Sequence, residues 1–383
     1  MPIQSSNLVV TYLSGFNTRN PLMSRSPQPG KQATYNHAKV VYSPFEAAPG
    51  AQFLLTADPW SFLTAWINQK LAAGPRGPNR TRLERALYYA NLAESFYAAS
   101  RRSSLPAQGT LAYYGILNLV KCFLSIRGVD LETKMEHHGL SLPLGSKQQV
   151  QIAAPGGNAL NIFHEFSRLL GKPVSGRETV TIKEIAGHLP EIHEMAFTLG
   201  HVTGNKRGFL PIDIQFLLTE SDSHLFTEVV YEKKQISRVD INRFHRGERK
   251  SYFSEGVDRD GCVVHRSAKR KKCNWDSFPR IYRNACAEYA KFDVCSLLTP
   301  KGYVYYCDLR SPKLHHLSYS LLMMFYIGTA ARYRPSEMRE LLETDVRPLI
   351  SEALAVIPGQ MLYHLVSYCT SSNCVVPHAT IAR

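Results

Sequence analysis

The stretch "RSPKLHHLSYSLL", residues 310–322, sets one guanidinium and two imidazoles close together in the chain. Arg310 suits bidentate grip on a phosphodiester and stays charged at every relevant pH. His315 or His316, with an ordinary pKa near ~6.5, can take a proton from an RNA 2′-hydroxyl or return one to the leaving 5′-oxygen. Cleavage of that kind needs no metal, and no cofactor is expected. Pro312 suits a first helical turn, where its missing N–H costs nothing. Arg310 is therefore expected at a strand-to-helix junction, with both histidines about one turn in. A competing reading pairs Arg310 with a local carboxylate such as Asp308 and leaves the histidines to cap or pack.

The second constellation is one of charge. The chain has 383 residues and a formal net charge of +14, which points to a polyanionic partner. Residues 241–283 carry twelve Lys or Arg against five Asp or Glu, half of that excess. Lys269, Arg270, Lys271 and Lys272 stand as an unbroken run, with Trp275 just beyond. Lysine and arginine supply phosphate contacts by counterion release, and a tryptophan can stack on an unpaired base. These five residues are expected to bind nucleic acid, RNA rather than DNA. Phe244, Tyr252, Phe253, Phe278 and Tyr282 are interleaved with the charges, so the alternative is a solvated basic loop docked to the body by its aromatics.

Other chemistries are poorly supplied. Cys262, His265 and Cys273 lie together, but no second closely spaced pair completes a zinc knuckle and His245 could serve as fourth ligand only by a long return, so no metal site is expected. The eight cysteines contain no C-x-x-C pair and suggest no disulfide framework. Neither a basic-apolar leader nor an uninterrupted apolar run of about 18 residues is present. A soluble, cytoplasmic chain is the expectation, with no membrane partner.

Several elements must position these residues. "DPWSFLTAWINQKLAA" has Asp58 as N-cap and Pro59 at the first helical position. A longer helix from about Arg80 to Arg101 turns its Leu83, Ala86, Leu87, Ala90, Ala93 and Tyr97 stripe inward. The next helix, within "LAYYGILNLVKCFLSIRG", has an apolar face of Tyr113, Ile116, Leu117, Val120 and Leu124. Its other side presents Tyr114, Asn118 and Lys121. Leu160 to Leu170 and Ile182 to Leu199 suggest a further helix pair. The runs around "TESDSH" read as a β-hairpin and "GYVYYCDL" as a strand. Helices resume after Pro312, including Val346 to Val356 and Gln360 to Tyr368. Four regions follow: an extended arm over 1–57, helices over 58–203, a β-containing basic insertion over 204–309, and completing helices over 310–383.

"AESFYAAS" followed by "LAYYGILNLVKCFLSIRG" and "HHGL" resembles the paired long helices of HEPN-type domains. Over a longer span, from about residue 58, the chain resembles the YaaC-like family of bacterial proteins. "YYGILNLVK", "HHGL", "LPEI" at 189–192 and "ARYRPSEM" at 331–338 carry that resemblance. The HEPN resemblance implies a mainly α (α+β) fold, a HEPN-like helical bundle into which the β-hairpin-containing basic segment is inserted. Many HEPN domains are metal-independent RNases or toxins with an Arg, four to six residues, then His; others keep the helices and have lost catalysis. Arg310 with His315 or His316 matches that spacing, although Pro312 and the doubled histidine depart from the usual polar residue after the Arg. In such a unit Tyr114, Asn118 and Lys121 would line the cleft that holds Arg310. The expected function is RNA binding with metal-independent endoribonuclease or toxin activity in bacterial defence. A homodimer and a regulatory protein are the further partners considered. The alternative is a non-catalytic nucleic-acid- or protein-binding scaffold.

Overall fold

The computed structural model describes residues 30–377 apart from Gln52, Thr203 and Asp222, so the first 29 residues of the expected N-terminal arm lie outside the described residues. Helix α1 (Pro59–Ala72) starts where the Asp58 side chain accepts a hydrogen bond from the Ser61 N–H. After it come α2 (Pro78–Ser100) and α3 (Leu105–Ile126), packed along each other. Ala86, Ala90 and Ala93 of the expected stripe are fully buried, since small side chains let the two helix axes approach. Short helices α4 (Ile162–Leu169), α5 (Ile182–Gly187) and α6 (His193–Thr198) complete this half. The last two replace the single helix expected over 182–199, because the chain turns at Leu189–Ile192 to bury both of those residues.

The basic region holds more strands than the expected hairpin and the "GYVYYCDL" strand. Its strands form an eight-stranded antiparallel sheet, with the central order Val257–Arg259, Cys262–Arg266, His224–Glu232, Phe209–Leu218, Gly302–Asp308, Val294–Thr299. Lys31–Gln32 joins the Phe209–Leu218 strand, and Lys271–Lys272 joins the start of His224–Glu232. Helix α7 (Glu248–Tyr252) bridges two of these segments, and α8 (Phe278–Ala290) packs on the sheet through Phe278, Ile281, Tyr282, Ala285 and Tyr289. The fold is α+β, about 45% helix and 21% strand, and the expectation of a mainly helical HEPN-like bundle is corrected accordingly. Charge concealed the sheet. Strand residues alternate between faces, so short segments such as "VDR" and "KK" show no apolar run, yet they pair in register with longer strands.

The chain then returns through α9 (His316–Tyr333), α10 (Pro335–Leu342) and α11 (Val346–Thr370). Pro358 stays inside α11, where two helices were expected; Ile357 and Met361 are both fully buried, and that packing holds the helix through the proline. One hydrophobic core joins α1–α6 to α9–α11, and a second lies between the sheet, α8 and residues 33–42. Along the seam, α11 covers the Val294–Thr299 edge strand. The Gln360 amide accepts from the Leu298 N–H at 2.9 Å and donates to the Leu298 carbonyl at 2.8 Å, imitating another strand. Helices α3 and α11 are long and apolar enough to cross a membrane, but most of each apolar stretch is buried inside the protein.

Candidate functional site

Arg310 sits where the Gly302–Asp308 strand leaves the sheet, as expected, but its guanidinium is built into the seam. Nη1 donates to the Gly187 carbonyl at 2.6 Å. A Cβ at Gly208 would fall 2.4 Å from Nε, and one at Gly187 would fall 2.7 Å from Nη1, so two glycines create the slot. Asp308 accepts from the Arg310 backbone N–H at 2.8 Å and bonds the His188 imidazole at 2.6 Å. His188 in turn stacks on Tyr319. Burial draws the Arg310 pKa down, against the pull of Asp308.

The histidines are placed elsewhere. His315 is the N-cap of α9, its ring nitrogen accepting from the Leu317 N–H at 3.2 Å. His316 is the first helical residue, 5% exposed, with neither ring nitrogen hydrogen-bonded. Burial, then Lys172, pushes His315 down to about 3, and burial lowers His316 as well. Both rings are neutral at physiological pH. Arg310 opens on a cleft beside Lys206 and Arg243, whereas His315 lines a different cavity among Tyr42, Lys172, Cys286 and Tyr368. The expected union of Arg310 with His315 or His316 in one open cleft is therefore corrected. The helix begins six residues after Arg310, not two, and the intervening turn carries the side chains apart.

The basic run fares differently. Lys269, Arg270 and Lys272 are exposed, Lys271 is half-buried, and none forms an ion pair among the described residues. Register sets Lys271 opposite Leu225, Leu225 opposite Leu218, and Leu218 opposite Lys31, so a lysine flanks each side of this sheet end. Trp275 is 60% exposed and stacks on Tyr35 at 4.5 Å between ring centres. Tyr35 also stacks on Phe278, which anchors the platform to the core. The other interleaved aromatics are structural: Phe244, Phe253, Phe278 and Tyr282 are buried, and Tyr252 packs beside them. Some basic residues are structural too. Arg249 binds the carbonyls of Arg243, Phe244 and Phe292 and the Asp293 carboxylate, and Arg266 pairs with buried Glu228. The Cys262, His265 and Cys273 grouping offers no ligand set, because His265 uses one nitrogen on Tyr231 and the other on the Ser254 carbonyl. No cluster of three or more His, Cys, Asp or Glu suited to a metal occurs among the described residues.

The polar side of α3 divides three ways. Asn118 is 8% exposed and donates to the Tyr114 carbonyl of its own helix. Lys121 pairs with Glu136 at 2.7 Å and lies over the Tyr89 ring. Tyr114 lines a cleft, at the C-terminal end of α9, with Arg332. Arg310 precedes the N-terminal end, and 18 helical residues span ~27 Å, so the expectation that these three share a cleft with Arg310 is corrected.

That cleft was missed by reading each motif alone. It has a volume of about 900 Å³ and gathers Tyr113 and Tyr114 from α3, His137 and His138 from the loop after it, Arg177, and Arg332 and Tyr333 from α9. Gly328 permits the α3–α9 crossing, because a Cβ there would meet the Tyr113 Cβ at 2.7 Å. Gly139, at φ +78°, turns the histidine segment where a Cβ would strike Asn161. The signal in the sequence is the trio "YYG", "HHG" and "ARYR", which no spacing along the chain links. "LPEI" lies apart from them, with both Glu191 carboxyl oxygens buried and without a hydrogen-bond partner.

A family model described as YaaC-like Protein matches residues 43–369. No curated protein and no solved structure matches the chain. With more than four-fifths of its residues covered by that one model, the chain belongs to the YaaC-like protein family.

Proposed function

We propose that this protein binds single-stranded RNA, without base-specific readout, on the basic end of its sheet. The observation that carries this reading is the carboxylate-free run Lys269–Lys272 beside the exposed, Tyr35-backed indole of Trp275. Unpaired cations release counterions from a phosphate backbone, and a rigidly backed indole offers a face to a base. Binding is the whole of the proposed activity. The nuclease or toxin reading needs Arg310 and a histidine on one scissile phosphate, and these open on separate cavities. A HEPN-type relation of the α2–α3 pair is part of the same proposal, as an element kept without its catalytic pair.

The test is titration of a fluorescent oligouridine at two or more salt concentrations. Replacing Lys269, Arg270, Lys271 and Lys272 with Ala should weaken binding and flatten the log–log salt slope by up to about 3, at ~0.7 per lost contact on a single strand. Trp275→Ala should weaken it by about 1–3 kcal/mol with little change in slope. Unchanged affinity and slope in the fourfold variant would remove the sheet end as the binding surface.

A further inference from the structure

We propose that the cleft between α3, α9 and the His137–Leu142 segment is a second site, one that binds a nucleoside phosphate, and that it is independent of the basic sheet end. Its charge supports this first. No Asp or Glu lines the cleft, yet three arginines do. Arg334 is committed, donating to the carbonyls of Leu142, Pro143 and Ser146 and pairing with Glu337. Arg177 and Arg332 are exposed and pair with no carboxylate among the described residues. Two guanidiniums without a carboxylate partner, facing an acid-free concavity, suit a phosphate, which accepts paired N–H donors.

The aromatic content narrows the ligand further. The Arg332 guanidinium lies over the Tyr114 ring at 5.4 Å and the Tyr333 ring at 4.2 Å, and it donates to both hydroxyls. Stacking on two rings limits the freedom of this exposed arginine, so less is lost when an anion arrives. Tyr333 is itself 65% exposed, with the Arg332 guanidinium over one face of its ring. Stacking of a planar base would cover the other face. A simple sugar phosphate would leave that face bare.

The histidine adds a polar contact. His138 bonds the Tyr113 hydroxyl through Nδ1 at 2.6 Å, and its Nε2 makes no hydrogen bond among the described residues. Burial, then Lys121 and His137, holds His138 below the usual histidine range, and burial keeps Tyr113 protonated. A neutral ring in a fixed orientation offers Nε2 to a ribose hydroxyl or a phosphate oxygen. The volume of about 900 Å³ is at the upper end for small-molecule sites and admits a mononucleotide with water, or the terminal nucleotide of a strand.

The test is calorimetric titration of full-length protein with AMP, GMP, CMP and UMP, alongside adenosine and inorganic phosphate. At least one nucleotide should saturate a single site, with adenosine and phosphate each tenfold or more weaker than AMP where AMP binds. Arg332→Ala should weaken nucleotide binding at least tenfold, and Tyr333→Ala severalfold; both are surface changes whose folding is checked by thermal melting. The fourfold Lys269–Lys272 variant should bind the nucleotide as wild type does, which separates this site from the proposed RNA surface. A 5′-phosphorylated tetranucleotide then tells the source: tighter binding than the monomer assigns strand ends, and equal binding assigns free nucleotides. Absence of saturable binding by all four monophosphates, or an Arg332→Ala variant that binds like wild type, overturns the proposal.

Discussion

Glu228→Ala tests whether the basic region is a sheet. Glu228 lies on the His224–Glu232 strand with its carboxylate wholly buried, directly opposite Arg266 on the neighbouring strand. The Arg266 guanidinium, 5% exposed, meets it at 2.6 and 2.9 Å and lies over the Phe226 ring, while Arg259 reaches the same carboxylate at 3.1 Å. Removing the carboxylate strands Arg266 in a site shielded from water, and breaking a buried pair this way costs about 3–5 kcal/mol. In a solvated loop the same pair would contribute only about 0–1 kcal/mol. The two architectures therefore differ by several kcal/mol in one measurement. Urea unfolding at pH 7 gives the stability. Hydrogen exchange of peptides from 224–232 and 262–266 localises the loss, since a chain with two cores need not unfold in one step. The double change Glu228→Ala with Arg266→Met should recover much of the loss, because no unpaired charge is then left behind. A loss below about 1 kcal/mol for Glu228→Ala, with unaltered exchange in both strands, would refute the placement of these residues inside the sheet.

Leu117→Ala should cost about 2–5 kcal/mol by urea unfolding, as its side chain is 6% exposed within the helical core. Lys121→Ala should cost far less, about 1 kcal/mol, because its partner Glu136 keeps access to water; the reverse order would mean the two faces of α3 are exchanged. Acidification should destabilise the fold. His193 and His364 are held at about 4 chiefly by burial, so between ~6.5 and about 4 the unfolded chain takes up protons that the folded one refuses. Each then removes up to ~1.4 kcal/mol per pH unit. Glu191 opposes them: burial raises it to about 7, so the folded chain binds its proton first and gains as pH falls. Glu191→Gln should consequently steepen the acid loss measured by urea midpoints between pH 7.5 and 4.5. A shallower profile in that variant would show the sign to be wrong.

Local features could be read directly from the chain. The Asp58–Pro59 helix start, the alanine stripe of α2 and the apolar face of α3 depend on neighbours three and four residues away, and those neighbours are fixed by covalent order. The net charge and its concentration in residues 241–283 are likewise properties of composition. Pairing over distance was another matter. Phe209–Ile212 bonds to Tyr305–Asp308 across about ninety residues, and short charged segments such as Lys271–Lys272 become strands only because a longer strand offers its edge. Tertiary structure also decided protonation. Nothing local distinguishes His316 from an exposed histidine, yet burial, with His315 and the His364 ring of α11 beside it, holds its pKa well below the usual range and separates it from Arg310. The same holds for the cleft: Tyr114, His138 and Arg332 span more than two hundred residues of chain. They meet because Gly328 lets α9 close on α3 and Gly139 turns the histidines back toward them, and such convergence has no periodicity to betray it.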